Sequence, residues 1–452
     1  MKLLGACAAA AVFAYLMWFA WPGLLAPFTS DDLMNLHSHL QAGAPGLLKG
    51  LAMYWSGEYR PLGGLFYVAI YRAFGFDPLP FRVACFLLIA LNLFLLYRFS
   101  LLLSGSREVA ALAALIASYH AWFVDIYYTT GTVYELLCFA FYFGALTFYI
   151  RIRRSGRTLR PREWAVFLVL YIFALDSKEM AATLPIAIGV FELVSLRAAR
   201  NLLATLVTAA MAIPYAIGKT TGAGVITANP QYQPEITWHH FLHAFRLYTN
   251  VLFYRESTIR GATVMLLLVV MLELALLARS QTMGYAWCFL IFSTLPFIFL
   301  PRYAGFFLYI PMAGWALYAS QALVLARDAL LRTPRRRSLV QALTFAAVAL
   351  VLAPLHARQT PKTLRVFSSI ALPSREVSAE LTRRVPALPP SARIAFLNDR
   401  QPGGYWLLFL VRLQYDDLGI EVARTSAPVA PAGKWDVILA WEGAKLRLVP
   451  RG

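Results

Sequence analysis

Long apolar stretches separated by short charged ones dominate the chain as far as residue 354. A helix crossing a ~30 Å hydrocarbon core needs roughly 20 apolar residues. Stretches of that kind lie at 4–22, 80–102, 107–123, 132–150, 163–177, 180–196, 201–217, 261–278, 284–300, 304–326 and 338–354. They predict about eleven transmembrane helices. The segment 61–75 is apolar but carries Arg72, and its length as a helix is only about 22 Å. Charge decides where it goes. With the N-terminus inside and 61–75 not crossing, Arg151, Arg153, Arg154, Arg157, Arg160 and Arg162 share a cytoplasmic loop. Arg327, Arg332, Arg335, Arg336 and Arg337 share another, and Arg197 and Arg200 also fall inside. If 61–75 crosses, all of these flip outside, against the positive-inside bias. The segment is therefore expected as a juxtamembrane helix on the outer face.

The same topology leaves external loops at 23–79 and 218–260 and an external tail from residue 355. The tail is charged and proline-punctuated and has no span. Ile394–Leu397, Trp435–Trp441 and Lys445–Val449 read as strands, and Gly404–Gln414 reads as a helix. The expected fold is an all-α polytopic membrane bundle over 1–354. A small α/β domain outside the membrane, 355–452, follows through a Pro361–Pro373 linker.

Composition agrees with this pattern and excludes its rivals. Apolar residues make up 60% of the chain, charged residues 14%, and the mean hydropathy is +0.60. Ordinary soluble domains carry about 25% charged residues, so a soluble multidomain protein, a disordered chain, a coiled coil and collagen are all excluded. The net charge of +18 follows from the arginine-rich inner loops and has no aromatic interleaving, so no nucleic-acid partner is expected. Cys7, Cys85, Cys138 and Cys288 sit in apolar runs without metal spacing. Leu4-Gly5-Ala6-Cys7 imitates a lipoprotein cleavage box, but too few residues precede it, so 4–22 is read as an uncleaved first span.

The unusual polar residues gather outside: Asp31, Asp32, His37, Glu58, Arg60, His120, Asp125, Lys178, Glu179, His239, His240, His243, Arg255, Glu256 and Arg302. A charge near a helix centre in the apolar zone costs about 2.5–3.5 kcal/mol on insertion scales. So many at one interface point to a site. The Asp31-Asp32 pair can divide labour, one carboxylate taking a proton while the other orients it or holds a metal. It can equally cap a helix over Leu33–Leu40. Lys178 and Glu179 can be a structural ion pair, and Arg302 can snorkel to the interface. His239 and His243 have the i, i+4 spacing of a zinc pair but no evident third ligand. His120 reads more readily as a satisfied interfacial histidine than as a catalyst. Asp416-Asp417 reads as a solvated turn, and Glu192 and Glu273 lie near cytoplasmic helix ends.

Several motifs recur in a telling order. Phe28-Thr29-Ser30-Asp31-Asp32 follows the first span. Gly57-Glu58-Tyr59-Arg60-Pro61-Leu62 opens a short helix, and Phe74-Gly75-Phe76-Asp77-Pro78 with Arg82 leads into the second span. His120-Ala121 and Asp125 to Glu135 form a second acidic loop. Asp176-Ser177-Lys178-Glu179 with Pro185, and Pro301-Arg302-Tyr303 with Tyr309-Ile310-Pro311, complete the set. Together these resemble the GT-C superfamily of integral membrane glycosyltransferases, over about residues 1–354. The Ser-Lys-Glu and Arg-Tyr segments are similar to those of protein O-mannosyltransferases with TPR repeats. The aminoarabinose transferase of lipid A is another relative. Two departures stand out: the usual His-Pro is His120-Ala121 here, and the tail has no helical TPR pattern.

The resemblance implies transfer of a sugar from a polyprenyl-phosphate lipid to an extracytoplasmic acceptor (glycan, lipid or protein), with inversion. It implies Asp31 or Asp32 as base, with Asp31 favoured, and Lys178, Arg302 and Arg60 on the donor phosphate. Glu58, His120, Asp125, Glu135, Glu179 and Tyr303 would line the substrate site. A divalent cation, magnesium or manganese, would sit on Asp31 or Asp125 if one is used. Physics agrees: the donor tail stays in the bilayer, so the site belongs at the interface, and the leaving phosphate needs cations. The bacterial inner membrane, with the N-terminus cytoplasmic and the tail periplasmic, is the expected location. A transporter or flippase of a lipid-linked substrate is the alternative, and a scaffold anchoring the tail is a third.

Overall fold

The computed structural model describes residues 2–56, 59–198, 201–221, 229–255, 258–331, 337–399, 403–443 and 445–449. Glu58, Arg200, Glu256, Arg332, Arg335 and Arg336 lie outside the described residues. The molecule is mostly helical, with one small sheet near the C-terminus.

Five helical segments are long and apolar enough to cross a membrane: Cys7–Leu25, Pro78–Ser104, Val133–Arg154, Leu203–Thr221 and Ser338–Ser368. A sixth is added if the pair Arg107–Ser118 and Ala121–Tyr128, bent by 52°, counts as one. Among the described residues this is fewer than the eleven expected. The physical reason is helical continuity. The stretch 180–196 is a 3-10 turn, a seven-residue helix and a π turn. The stretch 284–300 breaks at Ser293 and Thr294, between Gln281–Phe292 and Leu295–Ile298. Pro161–Ser177 and Gly261–Leu277 each have 17 residues.

In chain order the helices that carry the argument are α1 (Lys2–Ala20), α2 (Ser30–Ala52), α3 (Pro61–Phe74), α4 (Pro78–Ser104), α5 (Arg107–Ser118) and α6 (Val124–Tyr128). They are followed by α7 (Val133–Arg154), α8 (Pro161–Ser177), α9 (Leu184–Val190), α10 (Leu203–Thr221), α11 (Trp238–Leu252), α12 (Gly261–Leu277), α13 (Gln281–Phe292), α14 (Leu295–Ile298) and α15 (Pro311–Leu331). The short helix expected over 61–75 is α3, which buries Pro61, Gly63, Gly64, Tyr67 and Tyr71. Helix α2 starts earlier than expected, because Thr29 rather than Ser30 or Asp31 is its N-cap. The Thr29 side chain accepts from the Asp32 amide and the Asp32 carboxylate accepts from the Thr29 amide, which satisfies two orphan donors reciprocally.

The core is rich in fully buried tyrosines, and each phenol binds a different element. Tyr67 donates to Thr130, Tyr119 pairs with Thr360, Tyr134 with His39 and Tyr142 with Thr183. Tyr149 donates to Glu192, Tyr171 to the Thr208 carbonyl and Tyr285 to the Ala187 carbonyl. Rings supply packing area and hydroxyls supply directional links.

The Pro361–Pro373 linker does not exist. One helix, α16 (Arg337–Arg384), runs from the apolar segment into the tail with Pro354, Pro361 and Pro373 inside it. Phe367, Ser374, Val377 and Leu381 are buried along it, a spacing of seven, three and four that makes one helical face. The tail is α/β as expected: β1 (Arg393–Leu397), α17 (Trp406–Gln414), β2 (Glu421–Arg424), β3 (Val437–Glu442) and β4 (Lys445–Leu448). Strand β2 was not anticipated. The sheet order is β2-β1-β3-β4, with β1 parallel to β2 and β3, and β4 antiparallel to β3. Asp416-Asp417 is a turn, with Asp417 accepting from the Ser391 and Gly419 amides. One continuous core joins bundle and tail, including Leu36 of α2 and Leu410 of α17.

Candidate active site

Asp31 and Asp32 are adjacent in sequence and opposite in environment. Asp32 is fully buried. One carboxylate oxygen accepts from the Thr29 amide at 2.9 Å and the Arg82 guanidinium at 3.0 Å. The other accepts from Thr129 (2.5 Å), Thr130 (2.9 Å) and the Gly131 amide (2.7 Å). Arg82 is itself 1% exposed and also donates to the Ala26 and Pro27 carbonyls. This knot joins α2, α4 and the loop between α6 and α7. No oxygen of Asp32 is left for a ligand.

Asp31, in the first turn of α2, has an exposed side chain. Protein atoms crowd it from behind, and this desolvation, with the charge of Asp32, pushes its carboxyl up from the usual range. Arg302 and the Tyr405 hydroxyl pull the other way. Asp125, on α6, interacts electrostatically with Asp31, Glu135 and Arg302. Its carboxylate forms no ion pair among the described residues.

Two ion pairs stand beside these carboxylates. Lys178 pairs with Glu135, and its ammonium lies 5.2 Å from the centres of the Phe306 and Phe307 rings. Burial pushes that ammonium down from its ordinary range while Glu135 pulls it back. Glu135, Lys178, Met180, Phe306, Phe307, Tyr309 and Ile310 line a small recess, and the second oxygen of Glu135 has no partner. Arg60 pairs with Glu179 at 2.9 Å and lies over the Tyr59 and Tyr134 rings. It does so from a left-handed backbone with φ 47, just before Pro61. Such strain persists only where surroundings hold it.

Lys178 is held where α8 stops, in an extended residue before a 3-10 turn. Arg302 lies in the irregular segment between α14 and α15. A β-carbon on Gly305 would come within 2.2 Å of the Trp122 carbonyl oxygen, so only glycine lets that segment approach the break between α5 and α6. Arg302 donates to the Tyr232 hydroxyl and has no carboxylate partner among the described residues.

The structure thus gathers Asp31, Asp125, Glu135, Lys178, Arg60, Glu179 and Arg302. It does not bring in His120, whose ring stacks between Phe123 and Tyr254 at 4.5 and 4.4 Å. Tyr303 faces His240 instead, its hydroxyl 3.3 Å from Nε2. His239 and His243 stack with ring centres 6.4 Å apart, and among the described residues no three His, Cys, Asp or Glu side chains gather for a metal ion. Asp31 and Asp125 both sense the charge of the Arg302 guanidinium, which would repel a divalent cation placed beside them. The residues do not fit a resident metal.

Reading the sequence missed three contributors. Arg82 was noted only as part of a motif, Thr129-Thr130-Gly131 carried no signal, and Tyr405 lies in a tail that looked separate. No family model matches the chain, and no curated protein matches it in sequence.

Proposed function

We propose that the protein is an integral membrane glycosyltransferase of the GT-C type, moving a sugar from a polyprenyl phosphate to an extracytoplasmic acceptor with inversion. One observation carries the reading: an open carboxylate, Asp31, faces Arg302 and Asp125, and Asp125 in turn faces the Lys178–Glu135 pair, beside which the Arg60–Glu179 pair stands. In this reading Asp31 accepts the proton of the acceptor hydroxyl as its oxygen forms a bond to the anomeric carbon. The bond from that carbon to the phosphate oxygen breaks, and its electron pair leaves with the polyprenyl phosphate. Arg302 and Lys178 stabilise that phosphate. Asp32 positions Asp31 from below, and Asp125 and Glu135 bind hydroxyls.

The membrane placement is part of the proposal. Arg82, in the Asp32 knot, and Leu103, whose carbonyl accepts from Arg154, mark the two ends of α4. They are separated by about 32 Å of helix, close to a hydrocarbon core. The shorter and broken helices α5–α6, α8, α9, α12, α13 and α15 would cross within the bundle, giving about eleven crossings. The arginine-rich end would face the cytoplasm of a bacterial inner membrane.

The test uses purified protein in liposomes with a panel of polyprenyl-monophosphate sugars and candidate acceptors, following donor consumption by mass spectrometry. Turnover that disappears in Asp31→Asn, with folding retained, supports the reading. Turnover unchanged in Asp31→Asn sinks the mechanism.

A second reading, a transporter of a lipid-linked substrate, is favoured by two helix breaks, at Tyr119–His120 and at Lys178. Discontinuous helices bind substrate in transporters. Movement of labelled lipid between leaflets without donor consumption would select it.

A further inference from the structure

Exposed arginines lie at both ends of the bundle, and insertion explains only one set. Arg98 and Arg151 lie toward the inner end, where cytoplasmic charge is expected. Arg255 and Arg260 lie at the other end, in the segment leading into α12, and Arg358 and Arg365 lie on α16. These last four are exposed, and none forms an ion pair among the described residues.

Their height follows from packing. Thr344 of α16 accepts from Arg327 at 3.0 Å, beside Glu108 at the inner end. Ser374 donates to the Phe28 carbonyl, just before the Asp32 knot, so α16 rises from the inner end to the outer one. Between these points the Tyr254 ring lies 5.5 Å from His356, and Phe253 lies 4.8 Å from Trp315, near the start of α15. The outer ends of α12 and α15 therefore stand level with His356. Arg358 is about 3 Å further out and Arg365 about 14 Å. The headgroup layer of a bilayer is about 5–8 Å deep on each side, so Arg358 stands within it and Arg365 a side chain's reach beyond.

The basic face of α16 continues an apolar one. Val351, Leu355, Arg358, Lys362 and Arg365 follow at intervals of four, three, four and three, all exposed, which makes one stripe. His356, Gln359, Thr360 and Phe367 are buried on the opposite side. The stripe changes from apolar to basic at the height where α12 and α15 end. Docking of the tail holds α16 in place: Tyr415 beyond α17 donates to the Val385 carbonyl at 2.6 Å. On α2, the His37 ring lies 4.6 Å from Phe409 and its Nε2 lies 3.3 Å from Arg412.

We propose that Arg255, Arg260, Arg358 and Arg365 form one site for the phosphate headgroup of an anionic phospholipid in the outer leaflet. The acyl chains lie along Val351 and Leu355. The guanidiniums hold the phosphate, which arginine can do with two parallel hydrogen bonds. Cations that form no ion pair among the described residues call for an anion, and an apolar stripe leading up to them calls for an amphiphile. The proposal rests on the membrane placement given above, not on the sugar chemistry.

The test needs neither donor nor acceptor. Full-length protein in nanodiscs is labelled with phenylglyoxal, an uncharged arginine reagent, and each arginine is followed by peptide mass spectrometry. Discs of phosphatidylglycerol are compared with discs of phosphatidylcholine. The four arginines are expected to react about fivefold more slowly in phosphatidylglycerol, the effect of an anionic surface on one arginine. Arg383 and Arg447, exposed in the tail, keep their rates. In the double variant Arg358→Gln, Arg365→Gln, with an unchanged melting temperature, Arg255 and Arg260 lose their protection because they share the headgroup. Equal rates in the two lipids, equal slowing of Arg383 and Arg447, or full protection of Arg255 and Arg260 in the double variant each overturn the proposal. So does inorganic phosphate that protects the four in phosphatidylcholine as well as phosphatidylglycerol does, since the site then takes a soluble anion. Arg98 and Arg151 separate this proposal from the membrane placement. If they slow in phosphatidylglycerol and the outer four do not, the placement stands and the site fails. If neither set responds, both fail.

Discussion

Buried charge occurs at both ends of α4, and the two ends are finished differently. At the Leu103 end, Glu192 is fully buried and accepts from the Tyr149 hydroxyl (2.7 Å) and from Arg153 through Nε (2.7 Å) and Nη2 (3.0 Å). The remaining Arg153 nitrogen donates to the Arg157 carbonyl. Every group is used. At the Arg82 end, Asp32 is saturated in the same manner, but its surroundings are not. One oxygen of Glu135 has no partner, Asp125 has no cation within ion-pair distance among the described residues, and Arg302 donates to a phenol and forms no ion pair among the described residues. Burying unpaired polar groups is costly. A fold that closes one charged end and leaves the other open is shaped for something that completes the open one.

The comparison breaks most sharply at Asp31. Replacing it with Asn is expected to cut turnover by about 10²–10⁴-fold with the melting temperature preserved. Donor consumption and a thermal scan on the same sample check both halves. Arg153→Met at the closed end is expected to do the reverse. Stranding Glu192 should cost about 3–5 kcal/mol of stability, seen as a lower melting temperature and poorer yield, with turnover per folded molecule retained. Asp32→Asn belongs with Arg153→Met on the stability axis, despite being next to Asp31.

Acid sharpens the comparison further. His39, buried beside Arg60 and hydrogen-bonded to Tyr134 at 2.8 Å, has its imidazole pushed down to about 4, mainly by burial and then by Arg60. The unfolded chain takes up a proton near pH ~6.5 while the folded protein does so only near 4. Stability present above the higher value is therefore lost as pH falls toward the lower one, by up to about 3 kcal/mol. His39→Gln should flatten that slope in melting temperatures taken between those limits. The smallest effect is expected at Arg302. Arg302→Met should raise KM for the donor by roughly 10–100-fold, the worth of one or two charged hydrogen bonds, without moving the melting temperature. An Arg302 variant that melted early would place this residue with the closed end instead.

Much of the open end was legible from residue type. Charged residues in apolar surroundings are rare enough that Asp31, Arg60, Asp125, Lys178, Glu179 and Arg302 could be singled out one by one, and the structure brings them together. His120 passed the same filter but is stacked between Phe123 and Tyr254 instead, a packing that residue type alone does not disclose. Eleven apolar segments were read where five or six described helices are long and apolar enough to cross alone, because apolarity sets what a segment tolerates, not whether its helix is unbroken. The breaks at His120 and Lys178 fall where the backbone turns extended between two helical pieces. The prolines of α16 misled for a related reason. Each removes one backbone hydrogen bond, but the buried face of Phe367, Ser374, Val377 and Leu381 outweighs that loss, and no rule based on proline alone sees the face. The docking of Phe409 and Arg412 on His37 was invisible because it joins residues more than 370 positions apart.

A rigid connection between bundle and tail turns spacing into a phase problem. Helix α16 runs for 48 residues with three prolines inside it, about 72 Å of helix measured along its axis. One residue inserted between Pro361 and Pro373 would swing everything beyond it by about 100° around the axis and carry it about 1.5 Å forward. Seven residues would bring the rotation nearly back, yet lift the tail by about 10 Å. In neither case do Phe409 and Arg412 reach His37. Flexible tethers forgive changes of length; this one behaves as a screw thread, and only whole-turn changes matched by a compensating shift in α2 would let a different tail be fitted to the same bundle.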